Sequence, residues 1–123
     1  MFWLLAPLME IHHLAFRTKD LPRLEAFYSG LLGLPVTSRA DGRVWLKAGD
    51  TIVMLEMAEP GEPDIPANCM EFVAFTIQAN KRADWRNAIT QSGCRIEAET
   101  PHTLYFRDPD GRRVGLSSYG MVD

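Results

Sequence analysis

Few side chains in this sequence combine a reactive group with a spacing that predicts chemistry. The segment EIHHLAFRT alternates like a strand, which places His13 and Arg17 on one face and Leu14 and Phe16 on the other. An imidazole can ligate a metal ion or accept a proton, and a guanidinium can bind an anion. Arg17 is therefore a candidate anion-binding residue, and the alternative is a surface arginine at a strand end.

The sequence lacks the motifs of several large enzyme classes. It has no glycine-rich phosphate loop, no serine nucleophile elbow and no CxxC pair, which argues against kinases, Rossmann dehydrogenases and α/β-hydrolases. Its 13 lysines and arginines against 16 aspartates and glutamates give a net charge of −3, so we do not expect nucleic acid as a partner. Two cysteines without a metal or disulfide spacing suit a reducing cytoplasm, where we expect this protein to act.

The chain begins with a short apolar run. At ~1.5 Å per residue this run spans less than half of a ~30 Å hydrocarbon core, so we expect no association with a membrane. No lysine or arginine precedes Arg17, which argues against a secretory signal. We interpret residues 1–8 as an apolar N-terminal extension. It either lies upstream of a second start at Met9 or packs Phe2 and Trp3 on the body or on a partner subunit.

The first half of the sequence, residues 9–57, predicts a strand, a helix and three further strands. Asp20 is suited to cap the helix, Pro22 suits its first turn and Gly33 suits its C-terminal end. Apolar residues recur at helical spacing between these positions. Asp-Gly and Gly-Asp turns separate the strands that follow. The predicted order is therefore βαβββ.

The second half repeats this order. Residues 58–69 contain three prolines and a glycine, which predicts a linker. Residues 70–119 then predict a strand, a helix from Asn80 to Gly93, and three more strands, and a nearly constant offset aligns the two halves. Two such units pair because neither can bury its apolar face alone, so we expect one domain over residues 9–123. Each helix would cover one face of its sheet, and the other face would curve around a cavity.

Strand alternation identifies the side chains that face this predicted cavity. They are mostly apolar with a few polar groups, which suits a small organic ligand. The basic pair Arg112-Arg113 is instead expected in a solvated turn. The first module contributes Trp45, Ile52 and Met54 to the cavity, and the second contributes Phe72, Ala74, Thr76, Tyr105 and Ser117.

The segments HHLAFRTKDLPRLEAFYSGLLGLPV and YFRDPDGRRVGL resemble the vicinal oxygen chelate superfamily of glyoxalases, bleomycin-resistance proteins, fosfomycin-resistance thiol transferases and extradiol dioxygenases. The resemblance covers about residues 9 to 119. It implies an α+β fold in which two paired βαβββ modules form a cupped, barrel-like mixed sheet with the helices outside. It also implies a homodimer, and it leaves open whether the modules pair within one chain or between two. Members differ in chemistry, so the reaction has to be inferred from the site.

In metal-dependent members, a histidine on the first strand of a module and a glutamate on its last strand ligate a divalent ion. By this resemblance His13 and Glu56 are the candidate metal ligands and the candidate catalytic residues. In the second module, Phe72 and Gly115 stand at the corresponding positions. Because catalytic sites normally hold three protein ligands, two would bind a metal weakly. We therefore expect no cofactor, with a nickel, manganese, iron or zinc ion as the alternative.

Without an ion, His13 and Glu56 are expected to form a hydrogen bond across the cavity, either as an inert pair or as a general-base dyad. Arg17 stands at a position similar to an arginine of glutathione-using glyoxalases. Tyr105 stands at a position similar to a substrate-contacting tyrosine of fosfomycin-resistance proteins. Both similarities point to the same cavity.

Two hypotheses about function follow. The first is a glyoxalase/bleomycin-resistance/dioxygenase-like protein that binds a small organic molecule in an apolar cup with a degenerate metal site. The second is a divalent-metal-dependent lyase, isomerase, dioxygenase or thiol transferase of the same superfamily. An enzyme of that kind would need a third metal ligand from His102, from Glu71 or from the partner chain.

Overall fold

The computed structural model describes residues 9–120, and these residues form two modules of the same topology. The apolar extension predicted for residues 1–8 lies outside the described residues. Within residues 9–120, neither helix has the length and apolar character needed to span a membrane.

The first module forms a four-stranded mixed sheet with one helix. In the sheet, β1 lies parallel to β4, and β3 and β2 continue from β4 in antiparallel order. Asp20 caps the helix by accepting a hydrogen bond from the Arg23 amide at 3.2 Å, and Pro22 lies in the first turn, as predicted. The elements are β1 (His13–Thr18), α1 (Leu21–Glu25), β2 (Val36–Ala40), β3 (Arg43–Ala48) and β4 (Thr51–Met57).

The helix continues beyond α1 as a π-helix over Ala26–Leu31, which the apolar spacing does not reveal. The amide of Leu32 donates to the carbonyl of Phe27, five residues earlier, at 3.0 Å. The wider turn places the adjacent side chains of Phe27 and Tyr28 in the core, where they are 5% and 1% exposed. Tyr28 thereby reaches the second module.

The second module has the same mixed topology, in the strand order β5-β8-β7-β6. A 3-10 turn over Ala79–Lys81 precedes its helix. The prediction that Asn80 caps this helix is wrong, because Asn80 lies inside the turn and the N-cap residue Lys81 forms no capping hydrogen bond through its side chain. The elements are β5 (Phe72–Thr76), α2 (Arg82–Gln91), β6 (Ala98–Glu99), β7 (Thr103–Arg107) and β8 (Arg113–Ser117).

One core joins the two modules. The Phe27 ring lies 5.9 Å from that of Phe106 on β7, and the Tyr28 ring lies 6.3 Å from that of Phe75 on β5. The Tyr28 hydroxyl also donates to the buried carboxylate of Asp108 at 2.7 Å. The predicted fold of two βαβββ modules is confirmed, with two separate four-stranded sheets and not a closed barrel in the described chain.

Each sheet has a second face that points away from this core, which we call the cup face. On β4, Val53 and Leu55 are fully buried in the core, and Met54 lies between them on the cup face. On β5, Phe72 is 45% exposed and Ala74 is also exposed. Much of the cup face is therefore open to solvent in a single chain.

Candidate functional site

The predicted hydrogen bond between His13 and Glu56 is not formed. In the parallel pairing of β1 with β4, His13 lies opposite Ile52, and Glu56 lies opposite Arg17. Four residues along a strand separate the two backbone positions by about 13 Å at ~3.3 Å per residue. The His13 ring instead lies beside that of His12, with 3.0 Å between the two Nδ1 atoms. His12 precedes β1, so strand alternation does not turn its side chain away from His13.

Glu56 is held by two arginines instead. Arg17 Nη1 donates to its Oε1 at 2.5 Å, and Arg43 Nε donates to its Oε2 at 2.8 Å. The hydrogen bond from Arg17, supported by that from Arg43, holds the pKa of Glu56 below its usual value. A charged carboxylate with both oxygens occupied is a poor general base and a poor metal ligand.

Arg17 lies on the predicted face, but its guanidinium is already engaged. It also donates to Glu62 of the linker, from Nε at 3.1 Å and from Nη2 at 2.8 Å. Hydrogen bonds to Glu62 and Glu56 raise the pKa of Arg17, so it stays charged. An anionic ligand would have to displace one of these carboxylates. Sequence reasoning missed Arg43, which alternation places on the cup face of β3, and Glu62, for which the sequence offers no local signal.

Strand pairing corrects the alignment of the two modules. His13 pairs with Ile52 in the first module, and Phe72 pairs with Arg113 in the second. Ile52 and Arg113 therefore occupy equivalent places on the last strands of the two modules, as His13 and Phe72 do on the first strands. Along the chain, the first of these pairs is two residues further apart than the second. Because this difference is an even number, every side chain stays on the same face of its sheet.

This correction changes which residues correspond. The counterpart of Glu56 in the second module is Ser117, not Gly115, and the counterpart of Gly115 in the first module is Met54. Ser117 carries a hydroxyl, whose oxygen lies 2.8 Å from that of Thr103. With either alignment, the second module has no carboxylate on this part of its cup face.

Aromatic and guanidinium groups occupy the second module's cup face. The ring of Phe72 meets that of Tyr105 edge-on, with 5.0 Å between centroids. Arg113 Cζ lies 4.1 Å from the centroid of Tyr105 and 5.7 Å from that of Phe72. The prediction that Arg112 and Arg113 form a solvated basic pair is wrong, because their side chains are only 15% and 11% exposed.

The other residues predicted to line the cavity also lie on the cup faces. Trp45 of β3 lies opposite Met54 of β4, and Thr76 of β5 lies opposite Ser117 of β8. Within each module the structure therefore brings the predicted residues together. The two groups remain on separate sheets: Trp45, Ile52 and Met54 on the first, and Phe72, Ala74, Thr76, Tyr105 and Ser117 on the second.

The residues at the predicted ligand positions do not fit a divalent ion. Within residues 9–120, no three side chains of histidine, cysteine, aspartate or glutamate come together. A Cβ added at Gly115 would lie 3.2 Å from Thr103 Cγ2 and 3.3 Å from Ala74 Cβ, so a carboxylate there would require its neighbours to move. The donor set of one described chain does not match a three-ligand site.

Neither of the two residues considered as a third ligand completes the set. His102 is exposed, and its ring meets that of Tyr119 at 5.3 Å, beyond the end of β8. Glu71 is also exposed and immediately precedes β5. Neither residue lies beside His13 in a group of potential ligands among the described residues.

Glu97 is a charged residue near the cup that sequence reasoning did not identify. It accepts a hydrogen bond from Arg107 Nε at 3.0 Å and another from Arg113 Nε at 2.8 Å. The hydrogen bond from Arg107, together with that from Arg113, lowers the pKa of Glu97.

This lowered pKa predicts how stability changes in acid. A carboxyl whose pKa is lower in the folded state stabilises the fold above its unfolded pKa, near ~4.3 for glutamate. That stabilisation is lost as the pH falls through the folded pKa. We expect the free energy of unfolding, measured with urea between pH 3 and 6, to fall more steeply in the wild type than in Glu97→Gln. Glu99→Gln, which alters an exposed carboxylate paired with Arg82 and Arg86, should keep the wild-type slope. Equal slopes for Glu97→Gln and the wild type would contradict this assignment.

Comparison with known proteins agrees with this architecture. The chain is 23% identical over 126 residues to the metallothiol transferase FosB of Staphylococcus saprophyticus, covering 94% of this chain and 81% of the relative. It is 27% identical over 114 residues to the glutathione transferase FosA of Serratia marcescens, covering 89% of this chain and 80% of the relative. The structure of the fosfomycin resistance protein FosX from Mesorhizobium loti matches with a TM-score of 0.77 and 18% identity. The match covers 89% of this chain and 90% of the FosX chain.

A family model identifies the chain over nearly its whole length. The model of the Glyoxalase/Bleomycin resistance protein/Dioxygenase superfamily matches residues 10–116, which include both modules and the linker. The resemblance inferred from the sequence motifs is thereby confirmed. This chain belongs to the glyoxalase/bleomycin resistance protein/dioxygenase superfamily.

Proposed function

We propose that this chain is a cytoplasmic, homodimeric protein that binds a small, largely apolar organic molecule in its cup without a metal ion. The observation that carries the proposal is the aromatic pair of Phe72 and Tyr105, with Arg113 stacked on it, beside Gly115. By the resemblance, Phe72 stands where metal-dependent members carry a histidine ligand, and Tyr105 and Arg113 lie beside it. They supply apolar contact and one guanidinium in place of metal donors.

The exposure of the cup faces supports a homodimer. His13 and Ala15 on the first cup face and Ala74 and Thr76 on the second are exposed in a single chain. The core on the opposite side of both sheets already joins the two modules through Tyr28. The cup faces of one chain are therefore available to the cup faces of a second copy. Such a dimer would place a first module from one protomer against a second module from its partner.

The residues on the two cup faces support an apolar ligand with a few polar atoms. Trp45 and Met54 offer apolar surface on the first sheet, and Phe72 offers it on the second. The hydroxyls of Thr76 and Ser117 lie on neighbouring strands and can orient a polar atom of the ligand.

A metal-dependent transferase is the second candidate, and the relatives named metallothiol transferase favour it. It would require His13 and donors supplied by the partner chain. Elemental analysis distinguishes the two candidates after exchange against nickel, manganese, iron and zinc ions under reducing conditions. We expect much less than one ion per chain. A stoichiometric ion that disappears in His13→Ala would overturn the proposal and support the transferase.

Substitutions on the cup face should weaken the binding of a neutral aromatic probe. With 2-naphthol as the probe, we expect Trp45→Ala to lower affinity about 10- to 100-fold, because the lost contact is comparable to burying one large apolar side chain. Tyr119→Ala removes an aromatic side chain that is 77% exposed beyond β8, so this control should keep wild-type affinity. The measurement is isothermal titration calorimetry, with sedimentation analysis of the dimer. Equal losses in both variants, or a monomer, would contradict the proposed cup.

A further inference from the structure

A second cavity, which we call the linker cavity, lies where the linker passes over the first residues of β5 and β8. Its volume is about 320 Å³, within the range of small-molecule sites. Phe16, Val73 and Val114 line it on the side of the core, and Ile65 and Pro66 of the linker line the opposite side. Most of the lining is therefore apolar, and the charged residues that complete it, Glu71, Arg112 and Arg113, are called the rim.

Arg113 is the charged group at the rim that is available to a ligand. Its Nε donates to Glu97, and its guanidinium is fixed against the ring of Tyr105 at 4.1 Å. Its Nη1 and Nη2 groups have no acceptor among residues 9–120. The guanidinium thus presents two parallel donors in a fixed plane. This geometry matches the two oxygens of a carboxylate.

The charge around Arg113 is only partly compensated. Arg107 and Arg113 both donate to Glu97, so two guanidinium groups share one carboxylate. Arg107 Nη1 is further occupied by the carbonyls of Cys69 and Gly111. Arg107, Arg113 and Glu97 together therefore carry one positive charge without a carboxylate partner. The N–H groups that lack an acceptor in this cluster are Nη1 and Nη2 of Arg113.

The other charged residues at the rim do not compete for this role. Arg112 stacks on Phe16 at 5.0 Å and is held by Asp108 and Asp110 through Nη1. Glu71 is exposed, and its negative charge repels an anion. The rim thus provides one available guanidinium and one solvated carboxylate.

We propose that the linker cavity binds a small aromatic carboxylate. Its ring lies between the apolar walls, and its carboxylate accepts two hydrogen bonds from Nη1 and Nη2 of Arg113. The inference rests on the proposed function, because Phe72 and Arg113 lie on the cup face and line the linker cavity as well. It adds a substrate class, aromatic acids, that the cup alone does not define.

Calorimetry with 2-naphthoate and its neutral analogue 2-naphthamide tests the proposal. We expect the wild type to bind the acid at least about 10-fold more tightly than the amide, because hydrogen bonds to a charged acceptor are the stronger ones. Arg113→Gln should weaken binding of the acid about 10- to 100-fold and leave the amide within about 3-fold. Arg39→Gln removes an exposed arginine that pairs with Glu25 far from the cavity, so it should change neither ligand.

A second substitution keeps the proposal testable if Arg113→Gln perturbs the fold. Glu71→Gln alters an exposed residue and should strengthen binding of 2-naphthoate about 2- to 5-fold, because it removes a repulsive charge at the rim. The methyl resonances of Ile65, Val73 and Val114 should shift when the acid binds, whereas the Trp45 indole resonance should not.

The outcomes separate this inference from the proposed function. Loss of 2-naphthoate binding in Trp45→Ala, with Arg113→Gln unaffected, would overturn the linker-cavity site and leave the cup as the binding site. Equal affinity for the acid and the amide would also overturn it, as would an absence of acid binding beside normal binding of 2-naphthol. Failure of 2-naphthol to bind, with 2-naphthoate still dependent on Arg113 and still shifting the Ile65 methyl resonances, would contradict the cup and support the linker cavity.

Discussion

Replacing Asp108 with alanine is expected to lower the free energy of unfolding by about 3–5 kcal/mol, the range for breaking a buried ion pair. The Asp108 side chain is fully buried and accepts hydrogen bonds from the Tyr28 hydroxyl at 2.7 Å and from Arg112 Nη1 at 3.2 Å. It also accepts from the amides of Asp110 and Arg112. Alanine would leave a nearly buried guanidinium and a buried hydroxyl without this partner.

The position of Asp108 explains why the effect should be large. Tyr28 belongs to the helical segment of the first module, and Asp108 belongs to the turn between β7 and β8 of the second. Burial and the neighbouring Asp108 charge raise the pKa of Tyr28, so the hydroxyl keeps its proton and donates it. The substitution therefore removes one of the buried contacts that join the two modules.

Urea unfolding at neutral pH measures this effect, and Asp110→Ala is the matched control. Asp110 lies 3.2 Å from the same Arg112 nitrogen, but its side chain is 21% exposed, so its loss should cost less than about 1 kcal/mol. For a domain of this size, 3–5 kcal/mol lowers Tm by roughly 10–30 °C. A loss for Asp108→Ala below about 1 kcal/mol would show that the buried hydrogen bonds of Asp108 carry little stability.

Side-chain alternation explains why so much of the cup could be predicted. Because successive residues of a strand point to opposite faces, the apolar pattern assigned Trp45, Met54, Phe72 and Tyr105 to the correct faces before any pairing was known. The same rule applies to Arg113, two residues before Gly115. It was assigned to the turn instead, because the DPDG turn signal ends only two residues before it, at Gly111.

The partners of Glu56 could not be predicted in this way. They depend on the register between β1 and β4, which are adjacent in space but separated along the chain by the helix and by β2 and β3. The register places Glu56 beside Arg17 rather than beside His13. Glu62 then joins the same arginine from the linker. These contacts follow from tertiary packing, for which local sequence carries no signal.

The proposed loss of the metal site should be reversible by substitution on the second cup face. We expect the triple variant Phe72→His, Gly115→Glu and Thr103→Ser to bind nickel, manganese or zinc at least about 100-fold more tightly than the wild type. Phe72 pairs with Arg113, and Gly115 lies two residues beyond Arg113 on the same face of β8. New donors at these two positions would converge, whereas His13 and Glu56 are four residues apart along their paired strands.

Thr103→Ser makes room for the side chain that Gly115→Glu introduces. Thr103 Cγ2 lies 3.2 Å from the position of a Cβ at Gly115, and serine lacks that methyl group. The remaining Ala74 contact, at 3.3 Å, is a tight approach that a small backbone shift relieves. The variant lacking Thr103→Ser should therefore be less stable and bind the ion more weakly.

The third ligand in the triple variant would be His13 of the partner subunit, which makes this experiment a test of the dimeric cup. Adding His13→Ala to the triple variant should remove the ion, because two ligands hold a divalent metal weakly. Inductively coupled plasma analysis and metal titration measure the occupancy. Tight binding that persists without His13 would mean that the second module supplies every ligand and that the cup is not built between protomers. Loss of the ion on adding His13→Ala would instead show that both cup faces contribute to one site. In the wild type, Phe72, Tyr105 and Arg113 line that site in place of metal ligands.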